Sequence, residues 1–219
     1  KNQDIVIHLA GKFSGSDQDL WESNVEFTRA VIESLSEMNN GKFIYLSTGA
    51  VYGQKLINKS AKEDDAISPT NYYGFTKAIA EFLIQNSFKE NNNKFFILRL
   101  PNVYGDSQKK GVLYSFKKQI KNKNEINISG NGDHLRDFLH IDDLVNAIDL
   151  SIKYGGDSNI FNISSNLSLT VNEIADIIGN ENTKRNYLPD NNHLEKLVLD
   201  FSKANKIMGY VPKINSLLL

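Results

Sequence analysis

The sequence predicts an α/β fold built on a parallel sheet. Three observations predict it. Short, almost uninterrupted apolar runs alternate with longer amphipathic stretches at the spacing of β-α-β units. The apolar runs carry little polar alternation, as strands covered on both faces do. The 219 residues, 40% hydrophobic and 23% charged with only 4 Pro, suffice for a core and are unlike collagen, linker or disordered sequence.

The elements follow in order. Asp4–Ala10 reads as a buried strand ending at Gly11, and Asn24–Met38 as a helix with Val25, Ala30, Val31, Ile32 and Leu35 on its apolar side. Phe43–Ser47 is a second strand. Tyr72–Phe88 is a helix with Ala78, Ile79, Phe82 and Leu83 on one face, closed by the polar loop Asn91–Asn93. Phe95–Leu100 is a third strand, followed by helices at Val112–Ile120 and Ile141–Ile152. The latter has Asp142 and Asp143 in its first turn, where the dipole favours acid. Asn159–Ile163 is a short strand, and Thr170–Ile178 a helix with a Thr170/Glu173 capping box. The Lys/Asn-rich stretch Gly105–Asp133 is expected to loop outward, and Asn180–Asn192 has linker composition.

Composition narrows function. Lys+Arg 25 against Asp+Glu 26 gives a net charge of −1, so no global excess of positive charge points to nucleic acid or an anionic membrane. With no Cys, disulfides, zinc–thiolate sites and cysteine nucleophiles are excluded. The apolar runs are too short to span a bilayer. No signal peptide is visible at Lys1–Asp4, so a cytoplasmic location is expected.

Four segments carry candidate chemistry. Tyr73 and Lys77 are four residues apart on a helix, hence on one face, where an ammonium would draw the phenol toward a usable base. A surface tyrosine beside a solvated lysine is the plainer reading of that pair alone. Leu46–Gly53 places Ser47 and Thr48 just past a strand's carboxyl end, where open α/β sheets bind ligands. Strand-end hydroxyls also serve ordinary loop exits. Arg99–Gly105 is a second such strand end. In Gly130–Asp143, Arg136 suits a phosphate clamp or a surface ion pair with Asp137.

Taken together in this order, these segments resemble the extended short-chain dehydrogenase/reductase superfamily, in particular the NAD-dependent sugar-nucleotide epimerase/dehydratase family. The likeness runs from Asp4 to about Tyr210. It includes His8-Leu9-Ala10-Gly11, Pro69 with Tyr73-x-x-x-Lys77, Asn102-Val103-Tyr104-Gly105, Arg136-Asp137-Phe138 and Leu199–Ala204. The resemblance implies a Rossmann-like parallel sheet with flanking helices and its N-terminal strands missing, over 1–104 and 141–163. A small C-terminal α/β substrate-binding region would occupy 105–140 and 164–219. Tyr73 would be the acid/base, Lys77 would hold the nicotinamide ribose, and Thr48 would bond the sugar hydroxyl. Leu9, Ala10, Gly11 and Asn24 would lie along NAD (or NADP), with Pro101 beside the nicotinamide. Asn102 and Arg136 would hold the diphosphate of a nucleotide sugar. A homodimer is implied, with the helices around Val25–Leu35 and Ala78–Leu83 as a candidate interface or else intrachain core.

Departures sharpen the expectation. Gly49-Ala50 stands where family dehydratases carry acids, which favours a 4-epimerase, with a 4-keto-sugar reductase or a non-catalytic sugar-nucleotide-binding relative as alternatives. Asp190, in Leu188–His193, would repel a diphosphate where the family often has an arginine, leaving Arg185 or Lys196 as substitutes. His134 stands where the family commonly has Gln. The glycine-rich phosphate turn is absent, so roughly the first 60 residues of a family member are expected to be missing, the chain being the later part of a longer enzyme or one whose leading residues are not recorded.

Overall fold

The computed structural model describes residues 4–35, 37–53, 59–89, 92–189 and 196–217. The main sheet has four parallel strands, β1 (Ile5–His8), β2 (Lys42–Thr48), β3 (Lys94–Leu100) and, after a second lobe begins, β7 (Asn159–Asn162), in the order β1-β2-β3-β7. Period-two alternation divides β2 between two cores. Phe43 and Tyr45 face helix α3 (Tyr72–Ser87), packing with Ala80, Ile84, Phe88 and Ile97. Ile44 turns to the other side, packing with Phe96, Leu98, Phe161 and residues of helix α5 (Ile141–Lys153) and helix α7 (Ser202–Met208).

The edges of this sheet differ. β1 was expected to be covered on both faces, but Ile5 and Ile7 remain 41% and 40% exposed. Being an edge strand, it has a strand partner, β2, on one side only among the described residues. On β7, side chains occupy backbone groups: Lys203 Nζ donates to Ile160 O at 2.9 Å and Asn162 N donates to Glu63 Oε1 at 2.8 Å.

The helical segment after β1 starts earlier than the apolar periodicity suggests. A Ser16/Asp19 capping box opens α1 (Asp17–Trp21), which passes through a π-helical turn (Glu22–Glu26) into α2 (Phe27–Ser34).

The second lobe contains β4 (Asn102–Tyr104), helix α4 (Val112–Lys123), β5 (Glu125–Ser129), β6 (Leu135–His140), β8 (Leu167–Thr170), helix α6 (Val171–Ile178), β9 (Lys184–Leu188) and β10 (Lys196–Leu197). β6 lies between β4 and β10 and also pairs antiparallel with β8. Two expectations are corrected here. The stretch 105–133 is largely α4 and β5, and 180–192 contains β9, which pairs parallel with β5. Polar composition concealed them: Ile126 and Ile128 are the buried side of β5, while Asn186 Nδ2 bridges Glu125 and Asn127 across the pair. The Thr170/Glu173 capping box forms as expected. Asp190, expected to repel a diphosphate, and Asn91, in the loop after α3, lie outside the described residues.

Asp137, on β6, is fully buried. Its Oδ2 accepts from Ser164 Oγ at 2.7 Å and Leu199 N at 3.0 Å, tying β6 to the segment before α7. Burial pushes its carboxyl up to about 6 against the opposing pull of these bonds. A raised folded-state value means the fold holds the proton more tightly than the unfolded chain. This contribution to stability is therefore full below the ordinary carboxyl value and is lost as pH rises toward about 6. Relative to the parent, Asp137→Asn should gain about 2 kcal/mol between pH 4 and pH 7, read from urea denaturation at both values. A pH-independent difference would refute this assignment.

Candidate active site

The site forms where β2 and β3 end. Register sets Ser47 beside Arg99 and Thr48 beside Leu100, so residues distant in sequence reach one rim. Thr48 then caps a 3₁₀ turn (Gly49–Tyr52), its Oγ1 accepting from Ala50 N at 3.2 Å. Asn71 caps α3 by accepting from Gly74 N at 2.8 Å. α3 begins hard against the 3₁₀ turn: a Cβ on Gly74 would lie 2.6 Å from Ala50 O. Glycine at that point lets Tyr73 approach Thr48.

A cavity of about 680 Å³ opens here, lined among others by Thr48, Tyr73, Pro101, Asn102, Lys110 and Phe13. Thr48 hydrogen-bonds the Tyr73 phenol. Phe13, 54% exposed, has Lys110 Nζ 4.7 Å from its ring centroid. Among the described residues, no carboxylate lines this cavity.

Lys77 is buried behind Tyr73. Its Nζ donates to Leu46 O at 2.6 Å and sits 4.1 Å from the Tyr45 ring centroid. Burial lowers its ammonium to about 7, opposed by the Glu81 carboxylate. Tyr73 departs from the expected activation: burial raises its phenol, with the Thr48 bond as the opposing influence. In the chain by itself, Lys77 is seated on Leu46 rather than bonded to the phenol.

Leu9, Ala10 and Gly11 leave β1 as exposed chain. A Cβ on Gly11 would lie 2.9 Å from Asn24 Oδ1 and 3.9 Å from Lys77 Nζ, so this backbone runs beside Lys77. Asn24 lies in the π-helical turn with its amide engaged by the chain. Oδ1 accepts from Lys12 N at 2.8 Å, and Nδ2 donates to Lys12 O at 2.8 Å and Thr76 Oγ1 at 3.0 Å. Beneath it, Thr28 Oγ1 donates to Asn24 O at 2.7 Å and so receives the His8 Nε2 proton at 2.9 Å. Burial, then Lys77, lowers His8 to about 4, leaving the ring neutral.

Asn102 lines the cavity and donates to Asp137 O at 3.0 Å. Arg136 is half-buried on β6, its Nη1 donating to Leu135 O at 3.2 Å, and is not among the residues lining the cavity. Arg185, a suggested phosphate substitute, pairs with Asp176 on the second lobe.

A buried network went unassigned in the sequence. Glu81, 2% exposed, accepts from Ser47 Oγ at 2.5 Å and pairs with Arg99 Nη2 at 2.7 Å. Arg99 Nη1 donates to Tyr52 OH at 2.7 Å, which donates to Asn162 Oδ1 at 2.8 Å. The available signal was an acid four residues beyond Lys77, with a lone arginine inside an apolar strand.

A family model described as the NAD dependent epimerase/dehydratase family matches residues 1–164. Escherichia coli dTDP-4-dehydro-6-deoxyglucose reductase is 32% identical over 228 residues, covering 97% of this chain and 71% of that protein. A Dictyostelium discoideum dTDP-D-glucose 4,6-dehydratase is also 32% identical, over 78% of this chain and 43% of its own length. The chain thus spans less than half of that relative. Among solved structures, a variant UDP-glucuronic acid 4-epimerase from Bacillus cereus, in complex with UDP-4-deoxy-4-fluoro-glucuronic acid and NAD, superposes with a TM-score of 0.88. It shows 26% identity over 96% of this chain and 71% of that one. UDP-glucose 4-epimerase from Thermotoga maritima with UDP-glucose gives 0.87 and 28%, over 96% and 72%.

Arg99→Met would leave the Glu81 carboxylate buried without its cation. It should cost about 3–5 kcal/mol in chemical denaturation. A loss below about 1 kcal/mol would show that the pair does not hold the site together.

Proposed function

The chain belongs to the NAD dependent epimerase/dehydratase family, and on that premise we propose that it serves a sugar-nucleotide 4-epimerase. The observation carrying this reading is the pairing of Tyr73 with Thr48 in a cavity whose lining has three hydroxyls and, among the described residues, no carboxylate. Tyr73, as the phenolate, takes the proton from a sugar hydroxyl as the 4-keto sugar forms, and the resulting phenol returns it when the alcohol is restored. Thr48 bonds the same hydroxyl and orients it. Pro101 and Asn102 also line this cavity, with Asn102 serving the substrate side. Arg136 acts on the diphosphate if it turns toward the cavity on binding.

NAD suits the residues beside Lys77. Side-chain-free Gly11 leaves an open strip of backbone at Leu9–Gly11, and the Lys77 ammonium lies next to it. These residues and Pro101 would hold the dinucleotide, Lys77 at a ribose hydroxyl, with Asn24 shaping the strip through Lys12. When bound, NAD supplies the hydride acceptor and donor. NADP would fit these same residues.

Position 49 speaks against dehydration. A Cβ there would lie 3.0 Å from Leu199 Cδ2, so an acid would have to displace packed core. A 4-keto-sugar reductase is the second reading, favoured by the reductase relative that covers 97% of this chain. A homodimer through α2 and α3 accords with exposed Phe27, Phe75 and Phe82 on these helices.

Tyr73→Phe should lower turnover about a hundred- to ten-thousand-fold while leaving nucleotide-sugar affinity intact in calorimetry. Parental turnover in this variant would remove Tyr73 from the mechanism. Sugar product analysis separates the two readings: interconversion of C4 epimers without net cofactor consumption marks the epimerase, stoichiometric consumption the reductase.

A further inference from the structure

Tyr73, Lys77 and Glu81 recur every four residues, so they share one face of α3. Each meets one of three consecutive residues at the end of β2. Tyr73 bonds Thr48, Lys77 donates to Leu46 O at 2.6 Å, and Glu81 accepts from Ser47 Oγ at 2.5 Å. The helix face and the strand end thus form a three-rung ladder whose last rung is anionic.

We propose that Glu81 is a positioning residue for Lys77, fixing both the seat and the charge of its ammonium through a carboxylate clamped by Ser47 and Arg99. The inference rests on the reading of Lys77 as the residue serving the cofactor side of the site.

The geometry explains why a clamp is needed. Lys77 is desolvated, and its neighbours give little other support for a positive charge. His8 on β1 is neutral, Tyr45 on β2 offers a ring face, and Tyr73 on α3 is an un-ionised phenol. Glu81 is the anion acting on Lys77. Arg99, from β3, holds that anion in place, Nη2 donating to Oε2 and Nε to Oε1, and Ser47 Oγ donates to Oε1 as well. A buried pair serving only the fold would need no lysine one turn away on the same face.

The test is Glu81→Gln, which keeps the side-chain length and the oxygen acceptor but removes the charge. The Lys77 titration midpoint, followed by NMR of the ¹⁵N-labelled ammonium in the ligand-free chain, should fall by about 0.5–1 pH unit. The limb of the turnover profile set by Lys77 should move with it, whereas Glu81→Asp, which retains the charge, should restore most of the shift. An unmoved midpoint in folded Glu81→Gln would overturn the proposal and leave Glu81 a structural partner of Arg99.

If Glu81→Gln fails to fold, Glu81→Gln with Arg99→Met removes both charges and leaves neither buried alone. The same downward movement is expected, smaller because the opposing cation has gone too. An unchanged midpoint there also refutes the proposal. The ligand-free titration stands apart from the proposed reaction: a shifted midpoint in a protein that binds neither NAD nor nucleotide sugar would refute the reaction and keep the coupling.

Discussion

The buried Glu81–Arg99 pair is the constraint on which the site depends. It joins α3 to β3, the strand that follows it in sequence, and reaches the neighbouring strand β2 through Ser47. Two desolvated charges are costly unless geometry and further hydrogen bonds satisfy them. Here the carboxylate receives the guanidinium fork and a hydroxyl, and the guanidinium's remaining side reaches Tyr52. Translation of α3 along β2 would break these bonds together. That discourages the small slips an apolar interface tolerates, and it fixes how far Tyr73 and Lys77 project over the strand ends.

A second polar system does comparable work on the β1 side of Lys77. His8, Thr28 and Asn24 join β1 to the π-helical turn, and Asn24 extends the connection to Lys12 and Thr76. The extra residue in the π turn rotates Asn24 inward, so one side chain satisfies both backbone groups of Lys12. The loop after β1 is consequently held by side-chain bonds rather than by sheet pairing. The two systems meet around Lys77, one from the Asn24 side and one from the Glu81 side.

The legible parts of this molecule were those with local signatures. Apolar strands, capped helices and the four-residue spacing of Tyr73 and Lys77 are visible within short windows. Thr48 is marked by its place after a strand. Glu81 was illegible as a site residue because a helix acid usually faces water, and its partner lies 18 residues away. The β5–β9 pair depends on contacts across about sixty residues and on asparagine bonds that resemble loop chemistry in sequence. The depressed Tyr73 value expected from spacing failed for a further reason: spacing places Lys77 on the right face but not its hydrogen bond, which goes to Leu46.

The unequal edges of the main sheet give it a direction of growth. At β7, Lys203 and Glu63 occupy backbone groups that another strand would need. At β1, the outer edge has no strand partner among the described residues, and Ile5 and Ile7 beside it are part-exposed, so a strand can add there. Sheet extension, whether by a neighbouring segment or by unwanted self-pairing at high concentration, is therefore polarised toward β1.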